Sequence, residues 1–238
     1  MANDILRIKD LNYNKNRKHI LENVNLNIGN GKIVGLLGEN GAGKTTLMRI
    51  ISGINLGETG SVSVGGKYKA SERKSQVSFS DALAGFRGTA KIKNVINFYQ
   101  TVYPDFLTSR YKDLEKFLSI NEDNHLSQLS SGMKEKLVIA LALSRQVSLY
   151  LLDEPFDGID LMSRKRIIKS IINWKGKDST LIISDHYVSE IAKLLDEIVV
   201  IKNKTIFTQQ SAENIRENKK QSIEDYYMSL YEKEGDQK

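Results

Sequence analysis

Three observations predict an α/β fold built on a largely parallel sheet. Short apolar runs alternate with stretches of helical periodicity in the first and last thirds of the chain, which places helices on both faces of such a sheet. The segment Gly38-Glu39-Asn40-Gly41-Ala42-Gly43-Lys44-Thr45 fits G-x-x-x-x-G-K-[ST], with an apolar run before it and a helical pattern after it. The run Leu149-Tyr150-Leu151-Leu152 delivers the acids Asp153 and Glu154 at its C-terminal end. Open α/β sheets present their ligand-binding groups at that edge.

Along the chain, Val24, Leu26 and Ile28 alternate with Asn23, Asn25 and Asn27, the period of a half-buried strand. Gly29-Asn30-Gly31 is a turn feeding a buried strand over 32–37, and a helix begins with Thr46. Gly57-Glu58-Thr59-Gly60 precedes a strand over 61–64 that Gly65-Gly66 ends, and 77–79 reads as another. The middle third, about 82–146, then turns helical. Ile92, Val95, Ile96 and Tyr99 mark one helix face, and Pro104 separates it from a second with Tyr111, Leu114, Phe117 and Leu118. A third, amphipathic helix starts near Ser130 and carries Leu137, Ala140, Leu141 and Ser144. Strands over 149–152 and 180–184 flank a helix over 164–174. A further helix carries Val188, Ile191, Leu194 and Leu195. Strands over 197–201 and 205–207 form a hairpin across Lys202-Asn203-Lys204. From Ser211 the tail, about 211–238, is helical and polar. In it Ser222 and Asp225 stand at capping-box spacing ahead of Tyr226, Tyr227 and Leu230. The whole, 1–238, reads as one domain with an inserted helical part.

Composition narrows the chemistry. The 238 residues are 40% hydrophobic and 27% charged, an ordinary globular balance. No cysteine is present, so disulfides and thiolate metal sites are excluded. No apolar run approaches the roughly 18 residues of a membrane span, and no signal peptide is expected at Met1. The net charge of +6 comes from dispersed lysines without interleaved aromatics, so a solvated basic surface is expected and nucleic acid is not.

The glycines of 38–45 let backbone N–H groups converge on an anion, and the helix N-terminus adds its positive dipole end. Lys44 can reach β- and γ-phosphates, and the Thr45 hydroxyl can ligate Mg²⁺. Asp153 is placed to hold Mg²⁺ through water, and Glu154 to polarise an attacking water. Pro155 lacks an N–H and helps end the strand. Leu129-Ser130-Ser131-Gly132-Met133 offers hydroxyl and N–H groups at a helix start, which alone reads as an N-cap or a second anion site.

The order of these segments, followed by Ser184-Asp185-His186, resembles the ATPase subunit of an ABC transporter over nearly the whole chain. The resemblance implies a P-loop NTPase core with an N-terminal antiparallel β subdomain and the helical part as an inserted subdomain. Gly38, Glu39, Asn40, Gly41, Ala42, Gly43, Lys44, Thr45 and Thr46 match Walker A and would bind ATP. Asp153-Glu154 matches Walker B with its catalytic acid, and His186 stands at the switch histidine, which contacts the γ-phosphate. Ser130, Ser131 and Gly132 resemble the signature motif, which acts in trans, although Ser131 and Met133 replace its second Gly and its Gln. Asp160 matches the last aspartate of the D-loop, while Asp157 replaces a common serine. Asp81, beside Ala82, falls at the Q-loop as a water-mediated Mg²⁺ ligand, and Tyr13 is the nearest adenine-stacking aromatic.

The segments Tyr103-Pro104-Asp105-Phe106 and Ser222–Tyr227 look like those of ABC-2-type exporter ATPases of peptide and antibiotic efflux. The resemblance therefore implies catalytic Lys44, Glu154 and His186, the cofactors ATP and Mg²⁺, and a second ATPase subunit, as homodimer or heterodimer. It also implies a separate transmembrane permease, met by residues 81–103 including Leu83 and Phe86, and a place in the cytoplasm on the inner face of the cell membrane. A soluble ABC-type ATPase on a ribosome or DNA, and a low-turnover ATP-binding regulatory module, stay open as alternatives.

Overall fold

A computed structural model describes residues 4–81, 83, 85–185 and 191–232. The smaller of two sheets is antiparallel: β1 (Asp4–Lys15) lies between β2 (Lys18–Gly29) and β4 (Thr59–Val64). The larger has six strands in the order β5 (Val77–Phe79), β6 (Leu149–Asp153), β7 (Thr180–Ser184), β3 (Ile33–Leu37), β8 (Glu197–Lys202) and β9 (Thr205–Ser211). All its pairings are parallel except β8 with β9. The fold is thus α/β, with a mostly parallel core sheet and an antiparallel N-terminal sheet.

The central strands are apolar at every position because both faces of the sheet are covered. Leu149 and Leu151 join Val34, Leu36, Ile182 and Val199 in a core shared with the small sheet and with Leu47, Met48, Ile50 and Ile51 of α1 (Lys44–Ile51). Tyr150 and Leu152 point the other way, into a second core with Leu37, Ile183 and Val200. That second core is closed by α3 (Ile92–Val102), α4 (Thr108–Leu118), α5 (Ser131–Leu143) and α6 (Leu161–Trp174), the short α2 (Ala70–Arg73) lying apart. Helices α3 to α5 stand in sequence between β5 and β6, and Arg145 ties them to the sheet. Its guanidinium reaches both Asp105 carboxylate oxygens at 2.8 and 2.7 Å and the Val77 carbonyl at 2.7 Å. It also stacks 4.1 Å from the centre of the Tyr103 ring.

Several elements depart from expectation. Strand β1 escapes periodicity because it is bulged: its register shifts between Ile8 and Leu11, and Asp10 adopts φ 51. Helix α5 is not amphipathic throughout, since every residue from Leu137 to Leu143 is buried where the helix crosses the core. The hairpin turn is two residues long, with Asn203 and Lys204 both at positive φ, as type I′ turns require. The tail is two helices, α7 (Ala212–Glu217) and α8 (Ile223–Glu232). The Ser222 hydroxyl accepts the Asp225 N–H at 3.0 Å, but the Asp225 carboxylate returns to that hydroxyl at 2.7 Å and not to the backbone, so only half a capping box forms. The helix expected around Val188 falls largely on 186–190, outside the described residues; Ile191 and Leu195 at its end are buried. Among the described residues no helix is long and apolar enough to cross a membrane.

Candidate active site

The phosphate loop leaves β3 beside β8. Leu37 pairs with Val200, so Gly38 continues alongside Ile201. A Cβ on Gly38 would lie 2.6 Å from the Ile201 carbonyl oxygen, which leaves room for no side chain there. Gly43, the N-cap of α1, adopts φ 108, and a Cβ on it would meet Leu21 at 2.9 Å. The first N–H groups of α1 have no acceptor within the helix, which makes them available to an anion. Lys44 is only 4% exposed. Its ammonium donates to the carbonyls of Gly38 at 2.8 Å and Glu39 at 3.2 Å. It stands 3.8 Å from the Glu154 carboxylate.

The acids are held from two neighbouring strands. The Ser184 hydroxyl, at the end of β7, donates to Asp153 Oδ1 at 2.5 Å and accepts the Glu154 N–H at 3.0 Å. The Glu154 N–H also meets the Ser184 carbonyl at 3.1 Å. On the β5 side, the Ser80 hydroxyl accepts the Asp153 N–H at 2.8 Å. Glu154 itself adopts φ 49, a left-handed conformation costly for any residue with a Cβ. Nearby, burial and then the charges of Asp153 and Asp157 push the Glu135 carboxyl up to about 7.

Ser130 is the N-cap of α5, its hydroxyl accepting the Met133 N–H at 3.2 Å. Ser130, Ser131 and Met133 are exposed. A Cβ on Gly158 would lie 3.6 Å from the Ser131 hydroxyl, so the segment after Glu154 passes beside this helix start. Asp160 caps α6 through the N–H groups of Met162 and Ser163, at 3.0 and 2.9 Å. Hydrogen bonds from the Ser163 side chain and backbone hold its carboxyl below the usual range.

Two candidates sit differently from their expected roles. Asp81 is engaged by Arg49 of α1 at 3.0 Å. Tyr13 is 9% exposed and packed into the core that the small sheet shares with the large one. His186 and Ala82 lie outside the described residues. Sequence reasoning missed Ser184, Ser80 and Arg49. Ser184 stands directly before Asp185-His186, but nothing in a strand pattern says that its hydroxyl turns toward a neighbouring strand. A separate cavity of about 640 Å³ lies between the sheet and the inserted helices, lined by Phe79, Asp81, Phe86, Phe98, Tyr103 and Arg145 among others.

Residues 21–157 match the family model described as ABC transporter. The chain belongs to the ABC transporter family. This ABC ATP-binding subunit therefore uses nucleotide and is an ATPase by family. It is 31% identical over 236 residues to the phosphonates import ATP-binding protein PhnC of Fusobacterium nucleatum, covering 90% of this chain and 95% of that one. It is 30% identical over 218 residues to the lantibiotic transport ATP-binding protein SrtF of Streptococcus pyogenes, again covering 90% and 95%. Among solved structures, an ATP-binding subunit of an ABC transporter shares the fold with a TM-score of 0.82 at 23% identity, over 95% of this chain and 99% of that one. ABC ATP-binding subunits generally dimerise and pair with transmembrane permease components.

Proposed function

We propose that this chain hydrolyses MgATP at the Lys44–Glu154 site and powers export through a separate membrane permease. The carrying observation is the 3.8 Å approach of the buried Lys44 ammonium to the Glu154 carboxylate, with Asp153 tied to the same Ser184. In this reading residues 38–46 wrap the phosphates, and Lys44 leaves its loop carbonyls for phosphate oxygens. Glu154, fixed by two bonds to its N–H, accepts a proton from the attacking water. His186 adds a contact to the γ-phosphate on the strength of the sequence alone.

Mg²⁺ fits the donors present: the Thr45 hydroxyl and the Asp153 carboxylate are hard oxygen groups, and phosphate oxygens and waters complete such sites. When bound, Mg²⁺ neutralises charge developing on the phosphoryl oxygens.

The exposed start of α5 supports closure in trans: Ser130 and Gly132 would cover ATP held by a second chain, with Ser131 and Asp160 beside them. A homodimer is the simplest such assembly. The cavity between sheet and helices, with Phe98 and Val102 each 47% exposed, is the surface we assign to the permease, from which follows a place on the inner face of the cell membrane. Export rests on the ABC-2-like segments and the similarity to a lantibiotic transport protein, against which stand importers of equal similarity. We read 1–238 as one nucleotide-binding domain. The test is Glu154→Gln: hydrolysis should almost vanish while ATP drives dimers that persist. Ser130→Arg should prevent those dimers; turnover unchanged in either variant would remove the proposed role. Co-purification of the chain with a membrane protein from its own cell, followed by vesicle transport assays, decides partner and direction.

A further inference from the structure

The tail helix α8 is joined to the end of β8, the strand beside the phosphate loop, through a lysine that the hydrolysis mechanism does not use. Lys202 ends β8, one residue beyond Ile201, whose carbonyl packs against Gly38. It is 7% exposed although charged. Its ammonium donates to the Leu230 carbonyl of α8 at 2.9 Å. It also lies 4.5 Å from the centre of the Tyr231 ring and 5.1 Å from that of Phe207. A helix C-terminal carbonyl and two aromatic faces make a site built for a cation. Tyr231 in turn packs edge-on against Tyr227, ring centres 5.3 Å apart. Burial, then the hydrogen bond with the Tyr231 hydroxyl, raise the Tyr227 phenol. The tail therefore reaches, through Lys202, the strand end that backs Gly38.

We propose that α8 is a buttress of the phosphate loop and that Lys202 is the positioning residue that couples tail docking to ATP binding. The proposal rests on 38–45 being the nucleotide site. Gly38 must keep its carbonyl and backbone in place for Lys44 and for converging N–H groups, and the end of β8 packs against it through the Ile201 carbonyl. With α8 docked, Lys202 pins that strand end. With α8 undocked, the lysine is drawn into water and the wall loosens. Coupling of this kind is reciprocal: if docking favours ATP, ATP favours docking by the same factor.

The test uses the full chain. Lys202→Met keeps the stem and removes the charge; Lys202→Arg keeps the charge; Tyr231→Leu removes one ring from the cation and gives an independent, surface-side variant. Affinity for MgATP is measured by titration calorimetry, KM and kcat by phosphate release, and α8 docking by amide hydrogen exchange with and without ATP. The expected result is a rise of about fivefold or more in Kd and KM for Lys202→Met and Tyr231→Leu with kcat within about twofold, the lower range of coupling between sites. Lys202→Arg should restore most of the loss, and in the unaltered chain ATP should slow exchange in 223–232. Faster exchange in α8 with unchanged ATP affinity overturns the proposal, as does exchange in α8 that ATP does not alter. Unaltered exchange in both Lys202→Met and Tyr231→Leu removes Lys202 as the tie. Should Lys202→Met not fold, Tyr231→Leu decides alone. Lys44→Ala, run in parallel, separates the two levels: if it too leaves ATP affinity unchanged, the nucleotide-site reading fails; if it alone weakens binding, only the coupling does.

Discussion

Glu154 stores backbone strain at the position proposed as general base, and a pair of variants can weigh it. Its φ of 49 costs about 1–2 kcal/mol for a residue with a Cβ. Glycine removes that cost but gains freedom in the unfolded chain worth roughly 0.5–1 kcal/mol. Glu154→Gly should then be more stable than Glu154→Gln by about 0.5–1 kcal/mol. At about 2–4 °C per kcal/mol for a chain of this size, that is a Tm difference of roughly 1–4 °C. Both variants lose the carboxylate 3.8 Å from Lys44, so that ion pair cancels in the comparison. Both keep the N–H bonds to Ser184, and the side chain is 33% exposed, so little packing separates them. Nucleotide-free protein would be followed by calorimetry and urea denaturation, with phosphate release confirming that neither variant turns over. Glutamine equal to or more stable than glycine would refute the claim that strain is held at this position.

Other consequences follow from particular contacts. Arg145→Lys should destabilise the protein by about 3 kcal/mol, since lysine cannot hold both Asp105 oxygens, the Val77 carbonyl and the Tyr103 face together; a urea midpoint within error of the unaltered chain would contradict this. Glu135 gives a pH signature. Its folded carboxyl titrates near 7, above its unfolded range, so the folded state favours the protonated form. Stability should fall as pH rises from about 4.5 to 7, and Glu135→Gln should flatten that fall, which denaturation at pH 5 and pH 8 would show. Asp160 has the opposite sign: its depressed carboxyl contributes above its unfolded range, and the contribution is lost as pH falls through the folded value. Asp160→Ala should lower Tm at pH 7 and have a smaller effect at the acid end. Ser184→Ala should reduce kcat by tenfold or more, taking about 1.5–3 kcal/mol for a bond to a charged group, while leaving ATP affinity nearly intact; an unaltered kcat would show that Asp153 needs no such anchor.

Much of the fold was legible because its signals are local. The Val24–Asn25–Leu26 alternation, the uniform apolarity of 149–152 and the 38–45 loop each carry their meaning within a few residues. Strand β7 and helix α6 were found for the same reason. What failed was local pattern broken by distant partners. The bulge at Asp10 hides β1, where Gly60 lets the Asp10 carbonyl approach within 2.3 Å of a would-be Cβ. The second half of α5 breaks the amphipathic pattern because helices and sheet enclose it and leave it no exposed side.

The sequence by itself determined that a phosphate loop ends one strand and an acid pair ends another, because turn chemistry and periodicity act over short spans. Only the tertiary structure decided how the two meet. The strand order β6-β7-β3 sets β7 between the acids and the loop, so Ser184 grips Asp153 and Glu154 while Lys44 reaches toward Glu154 from the other side. The same packing turned Asp81 to Arg49, buried Tyr13 and forced Glu154 into a left-handed turn. Those outcomes depend on which strands become neighbours, and contacts between distant segments leave no periodic trace in the residues that make them.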